Sequence, residues 1–103
     1  MSSKGLHVAC ETLKPRTLLQ HYAITSLVEE LEAVDWYRQR ADDCEDEDLR
    51  AILLHNAREA LEHAAMAPEW LRRRDAETDR NLREKLFKAG AITGREEKAT
   101  GKA

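Results

Sequence analysis

The sequence is poor in the residues that interrupt helices. Its 103 residues include only four glycines, two prolines and five aromatic side chains, whereas 36% of the residues are charged and 42% are hydrophobic. Such a chain cannot supply the many turns of a small all-β domain. The composition therefore favours a single small domain built from long amphipathic helices.

Other absences exclude whole classes of protein. The net charge is −3 with acids and bases interspersed, so no basic stripe points to nucleic acid. No apolar run approaches the ~20 residues of a membrane span, and no signal peptide is visible. Cys10 and Cys44 form neither a CxxC pair nor a disulfide framework. We therefore expect a cytoplasmic protein with reduced thiols and no membrane or nucleic-acid partner.

The chain divides into a flexible arm (1–14), a helical hairpin domain (15–90) and a disordered polar tail (91–103). Pro15 suits the first turn of a helix, where its missing N–H costs nothing. The acidic run "DDCEDED" lacks the glycine and the ligand spacing of a calcium loop, and we interpret it as a solvated turn. The pattern predicts all-α structure, with two long antiparallel helices and a short third one, over residues 15–41, 47–74 and 77–89.

On the first helix, an apolar stripe is interrupted by one glutamate. Glu30 lies within the stripe that faces a packed seam, while Glu29 and Glu32 lie outside it. A second stripe, made of Ile24, Val28 and Leu31, widens the apolar face. The seam stripe itself consists of Ala23, Leu27, Glu30, Val34, Tyr37 and Ala41.

On the second helix, the same spacing places a histidine in the seam. His63 shares the stripe, Glu62 points outward, and Glu59 lies one position from the seam and one turn before His63. His55 and His21 are interpreted as ordinary polar-face or cap histidines. The stripe consists of Leu49, Leu53, Asn56, Ala60, His63, Ala67 and Trp70.

A carboxylate in a packed seam needs a partner, because burying it alone costs several kcal/mol. His63 is the natural complement of Glu30, either as a satisfied pair in a core or as half of a metal site. Two long helices and a short one cannot enclose a four-helix core, so the broad apolar faces predict a second copy. A symmetric dimer would bring two Glu30 and two His63 side chains to one axis.

Several segments resemble the encapsulated ferritins: "VEELEAVDWY" (28–37), "AILLHN" (51–56), "EHAAM" (62–66), "EWLRRRD" (69–75) and "LREKLF" (82–87). The resemblance covers residues 15–90. It implies a two-helix subunit that dimerises into a ferritin-like four-helix bundle, with a di-iron ferroxidase centre between the two chains. It also implies that such dimers form an annular decamer of chains, which is cargo inside an encapsulin shell.

The resemblance assigns roles to individual residues. It places iron ligands on Glu30 and His63 and a tyrosine close to the irons on Tyr37. The position of the second ligand glutamate is Ala60, natural or introduced, and the chain contains no Glu-x-x-His motif. Glu59 is one turn from His63 and is a possible substitute. The metal-entry residues implied by the resemblance are Glu29, Glu32 and Trp36.

The sequence thus predicts an iron-binding ferroxidase that oxidises Fe(II) with O2 at a dimer interface, impaired by Ala60. Carboxylate and imidazole ligands also suit zinc and manganese. Two alternatives stay open: a catalytically silent helical oligomer, and a metal-binding module without turnover. A Gly/Ser/Leu-rich shell-targeting tail is not visible after Ala91, so either this chain is shortened or it is not shell cargo. An encapsulin shell protein is expected as a partner if a targeting tail exists.

Overall fold

Three α-helices make up most of the chain. The computed structural model describes residues 5–94, in which no β-strand occurs. A 3₁₀ turn, Cys10–Thr12, precedes α1 (Pro15–Asp43), α2 (Glu47–Arg74) and α3 (Ala76–Lys85). The predicted all-α class, with two long helices and a short one, is confirmed. Among the described residues, no helix is long and apolar enough to cross a membrane.

The acidic run forms the turn between the two long helices and supplies a cap. Pro15 occupies the start of α1, and the backbone N–H of Cys44 closes its end on the carbonyl of Ala41 at 3.3 Å. The Oδ1 atom of Asp46 accepts a hydrogen bond of 2.8 Å from the backbone N–H of Leu49, which caps the first turn of α2. Only three residues separate the helices, so α2 runs back antiparallel along α1.

The chain forms two compact units, with the boundary directly after Pro68. The first unit contains α1 and the part of α2 up to Pro68. The core of this hairpin is a narrow seam of small side chains, in which no buried residue is larger than valine. The seam consists of Val34, Ala41, Ala57, Ala60 and Ala64.

The seam differs from the predicted one on α2. The buried residues there are alanines at spacings of three and four, whereas Leu49 and His63 of the predicted stripe are exposed. Alanine side chains let the helices approach closely, so the small-residue side of α2 packs against α1 and larger side chains stay at the edges. The second apolar stripe of α1, Ile24, Val28 and Leu31, is also uncovered, each at 49% exposure.

In the second unit, Arg72 connects the end of α2 to α3. Its guanidinium donates to both carboxylate oxygens of Glu69, at 2.9 and 2.8 Å, and to Oδ1 of Asp79 at 2.7 Å. Asp79 also accepts from Arg83, and Asp75 caps α3 by accepting from the N–H of Thr78 at 2.9 Å. These charge-assisted hydrogen bonds hold α3 against the last turn of α2.

The third helix is shorter than the sequence suggested. It ends at Lys85 and not at residue 89, since Leu86 adopts extended backbone and Phe87 has a φ of 58°. Gly90 lies five residues beyond the end of α3 with a φ of 93°. The helical pattern of the sequence continues past Lys85, but the backbone leaves the helix before Phe87.

We predict that acid releases α3 through Glu69. Hydrogen bonds from Arg72 and then Arg73 lower the pKa of Glu69 from 4.5 to about 2. A carboxylate whose pKa is lowered by folding stabilises the folded protein at pH values above its pKa in the unfolded chain. This stabilisation by Glu69 is therefore lost as the pH falls from 4.5 toward 2. Hydrogen-exchange protection of residues 76–85 should therefore fall across that window.

Arg72→Ala should lower this protection at pH 7 by about threefold or more, because an exposed ion-pair network contributes modestly. It should also remove most of the acid sensitivity assigned to Glu69. Arg80→Ala is the matched control, since Arg80 is an exposed arginine of α3 with no ion pair among residues 5–94. Equal protection in the Arg72 and Arg80 variants would contradict the role of Arg72.

Candidate metal centre

Glu30 and His63 face each other across the hairpin. Glu30 lies in the middle of α1, and the antiparallel course of α2 brings His63 alongside it. The distance between His63 Nδ1 and Glu30 Oε2 is 3.5 Å, too long for a strong hydrogen bond. The structure therefore brings together the two residues that the sequence singled out as a pair, leaving room for them to take another partner.

This pair lies at the rim of the hairpin. The side chains of Glu30 and His63 are 34% and 53% exposed, respectively. Water can therefore solvate the Glu30 carboxylate, and the pair does not serve to neutralise a charge inside a core. Both interpretations left open by the sequence, a satisfied core pair and half of a metal site, stay predictions, because this exposure is that of one chain without a second copy against it.

Glu59 is directed away from this pair. Its Oε1 atom lies 3.6 Å from Nε2 of His55, one turn earlier on α2, and both side chains are about half-exposed. Glu59 is thus held toward the outer side of the helix. To act as a ligand beside His63 it must leave His55 and change its side-chain rotamer.

Ala60 is buried in the seam, with 5% of its surface exposed. It precedes His63 by three residues, so its Cβ lies on the side of α2 that packs against α1, next to the rim. A longer side chain at this position would have to extend from the seam toward the open face. As the chain stands, a methyl group occupies the position where the resemblance requires a carboxylate.

Tyr37 follows Glu30 by two helical turns on the same side of α1 and is half-buried. The guanidinium carbon of Arg40 lies 5.5 Å from the centre of the Tyr37 ring. A cation over the ring face favours one orientation of the aromatic side chain. The sequence reasoning overlooked Arg40, although its spacing of three residues from Tyr37 was a readable signal.

The three residues expected to form an entry site lie on a different side of α1 from Glu30. Successive residues of an α-helix are turned by about 100° around its axis, and this spacing places the three side chains on one exposed strip of α1 away from Glu30. The two carboxylates take part in no ion pair among residues 5–94, and the indole is half-exposed. These residues are Glu29, Glu32 and Trp36.

One chain alone provides an incomplete metal site. Within residues 5–94, no three His, Cys, Asp or Glu side chains come close enough to hold an ion together. Protein sites for divalent transition metals have three or more protein ligands in most cases. Glu30 and His63 are chemically suitable but supply only two, so a site on this face needs ligands from a second molecule.

Comparison with known proteins finds relatives named as ferritin-like proteins. A ferritin-like protein of Thermotoga maritima is 51% identical over 79 residues, covering 77% of this chain and 69% of that protein. The encapsulated ferritin-like protein of Rhodospirillum rubrum is 54% identical over 92 residues, covering 89% of this chain. The chain spans 66% of the length of that relative, slightly less than two thirds.

The fold agrees with these sequence relationships. The crystal structure of protein ne0167 from Nitrosomonas europaea superposes with a TM-score of 0.82 at 48% identity, covering 85% of this chain and 97% of that one. A family model described as EncFtn-like matches residues 5–89, which include both long helices, α3 and the Glu30–His63 pair. The chain therefore belongs to the EncFtn-like family of ferritin-like proteins.

Proposed function

We propose that this protein is a ferroxidase that binds Fe(II) between two copies of the chain and oxidises it with O2. The observation that carries the proposal is the open Glu30–His63 pair, with 3.5 Å between Nδ1 and Oε2 at the rim of the hairpin. Membership of a ferritin-like family supports iron as the substrate and cargo. Dimerisation supplies the further metal ligands that one chain lacks.

A two-fold axis at this face doubles the ligand set. Two Glu30 carboxylates and two His63 imidazoles then converge, a combination of oxygen and nitrogen donors that suits Fe(II). His63 binds metal through a ring nitrogen of its neutral form. Two Fe(II) ions each give one electron to O2, which takes up two protons from water and leaves as H2O2, and the two Fe(III) ions pass to storage.

The limit on activity is the charge of the site. Two Fe(II) ions bring four positive charges, and two Glu30 carboxylates offset only two of them. The methyl group of Ala60 adds none, and Glu59 adds charge only if it leaves His55. We therefore expect weak or single-ion binding and slow oxidation in the sequence as it stands.

The exposed carboxylates on α1 would deliver iron. Glu29 and Glu32, with Trp36 beside them, form a wet acidic strip without competing ion pairs among residues 5–94. Residues 1–68 hold 13 acidic and seven basic side chains, so the field around this unit attracts cations. The strip would raise the local Fe(II) concentration.

The proposed assembly is a homodimer that forms a larger, decameric ring within an encapsulin compartment of the cytoplasm. The name of the Rhodospirillum rubrum relative, an encapsulated ferritin-like protein, supports enclosure in such a compartment. A targeting segment is needed for that partner. The expected polar tail falls largely on residues 95–103, which lie outside the described residues.

A catalytically silent oligomer is the second candidate. Two observations favour it: Ala60 replaces a ligand carboxylate, and Glu59 is directed toward His55 and away from the pair. A metal-binding module without turnover lies between the ferroxidase and the silent oligomer, since Glu30 and His63 could hold a single ion. Iron stoichiometry and oxidation rate together distinguish the three.

We predict that Glu30→Ala and His63→Ala each abolish iron binding, because each removes a ligand from both sides of the dimer axis. Glu62→Ala is the matched control, a neighbouring exposed residue of α2 with no ion pair among residues 5–94. Iron per chain after Fe(II) loading and desalting is the measurement. Loss of iron in the Glu62 variant but not in the Glu30 variant would refute the assigned ligands.

We predict that Ala60→Glu accelerates Fe(II) oxidation about tenfold or more, because even groups outside the ligand shell change metal-site activity by about 10–100-fold. Iron stoichiometry should rise toward two per dimer. The new carboxylate starts from a buried position and should lower apo stability by about 1–3 kcal/mol. Stopped-flow absorbance of Fe(III) and urea unfolding measure the two effects.

The parent and Ala60→Gln are the controls for this experiment, since glutamine matches the shape of glutamate without its charge. A parent as fast as Ala60→Glu would mean that another carboxylate has replaced the lost ligand, and Glu59→Gln would then abolish the parent rate. If neither protein oxidises iron above the rate in buffer, the ferroxidase proposal is wrong and the silent oligomer stands.

A further inference from the structure

Met66 is an exposed sulfur-containing residue on the side of α2 that carries His63. In the single chain it is 59% exposed. It follows His63 by three residues, so the two side chains are neighbours on the helix surface, with Cβ atoms about 5–6 Å apart. They differ by about 60° around the axis of α2, because each residue is turned by about 100° from the one before it. A thioether therefore lies next to the imidazole of the candidate metal centre.

The other sulfur atoms of the described residues lie far from this centre along the helices. Cys44 is in the turn between the two long helices, and His63 lies about 24 Å along the axis from the start of α2. Cys10 precedes α1, on which Glu30 lies about 22 Å from the first residue. Met66 is thus the sulfur that an oxidant formed at the Glu30–His63 pair meets first.

The iron reaction of the proposed function reduces oxygen only halfway. Two Fe(II) ions supply two of the four electrons that convert O2 to water, so H2O2 is the product. A methionine thioether gives up two electrons when it accepts an oxygen atom and becomes the sulfoxide. A thioether beside the iron therefore supplies the two missing electrons, and the peroxide ends as water.

We propose that Met66 is an oxidation site that intercepts the peroxide formed at the Glu30–His63 pair, an inference that rests on the proposed ferroxidase function. The sulfur lone pair attacks one oxygen of H2O2, an S–O bond forms and the O–O bond breaks. The second oxygen leaves as water with both hydrogens, so the thioether is oxidised by two electrons and the peroxide is reduced by two. Each Met66 reacts once, until methionine sulfoxide reductases restore the thioether.

His63 is the residue that this reaction protects. Its imidazole lies beside the same iron and peroxide, and oxidation of the ring would remove a nitrogen donor from the site. The soft, polarisable thioether reacts with peroxide in preference to the imidazole. Oxidation of Met66 thus spares a ligand during the first rounds of iron oxidation.

The direct test compares two methionines on one peptide. Ala65→Met adds a thioether at an exposed residue of α2 that is next to Met66 in sequence but about 160° around the axis from His63. This chain receives either Fe(II) and O2 with catalase, which removes peroxide that has reached the solution, or H2O2 in EDTA without iron. Mass spectrometry of the tryptic peptide 59–72 measures the sulfoxide at positions 65 and 66.

The ratio of sulfoxide at position 66 to that at position 65 should be about tenfold higher with iron than with free H2O2, because proximity raises the effective concentration of the oxidant. The reaction with free H2O2 corrects for any difference in exposure between the two positions. Equal ratios in the two reactions would overturn the proposal.

The second test removes the sulfur. Met66→Leu keeps an apolar side chain of similar size. With two Fe(II) per dimer, it should release about twice the H2O2 of the parent for each Fe(III) formed, and His63 should be oxidised about threefold more. Ala65→Leu is the matched control, which places a leucine on the other side of α2 and should match the parent in both measurements. A peroxide yield in Met66→Leu equal to that of the parent would also overturn the proposal.

The absorbance of Fe(III), read in the same reactions, separates this inference from the proposed function. Fe(III) formation without preferential oxidation of Met66 overturns the inference and leaves the ferroxidase standing. No Fe(III) formation above the rate in buffer overturns the ferroxidase, and the interception of peroxide falls with it.

Discussion

The close packing of α1 against α2 through alanine is the interaction on which the rest of the structure depends. Ala57, Ala60 and Ala64 present a nearly smooth side of α2, and Val34 and Ala41 of α1 lie against it. This approach brings Glu30 within 3.5 Å of His63 across the rim. It also forces larger apolar side chains to the edges, because there is no room for them between the helices. The Glu30–His63 pair at the rim and the uncovered apolar stripe of Ile24, Val28 and Leu31 on α1 both follow from the same narrow seam.

Much of this arrangement was predictable from the sequence. Pro15 and the acidic turn marked where the long helices begin and meet, and the apolar period paired Glu30 with His63. The exact rotation of α2 was not predictable, since periodicity marks a stripe of apolar residues without saying whether its large or its small members pack inward. Leu49 was expected inside and is outside, while Ala57 and Ala64 were overlooked. Similarly, the helical pattern of residues 86–89 did not reveal that the backbone turns at Phe87. No sequence pattern marks a phenylalanine whose backbone adopts the left-handed conformation.

Ala60 has two roles that compete. As a seam residue it is the size that lets α1 and α2 approach, and in the proposed function it occupies the position of a second ligand carboxylate. A glutamate there would strengthen the proposed metal site and weaken the packing of the hairpin without metal. The proposed site and the core of the unit therefore compete for the same space beside His63.

The small size of the buried core has a consequence for how the protein exists in a cell. A chain whose buried residues, within the described range 5–94, are four alanines and one valine gains little from folding alone. In the proposed dimer, most of the apolar area that could stabilise the chain is buried between copies, so folding and association are linked by mass action. The folded fraction then depends on how much protein is made. Newly synthesised subunits in short supply would be open to proteolysis, while abundant ones would protect each other, and the cell could set the amount of assembled protein through its rate of synthesis alone.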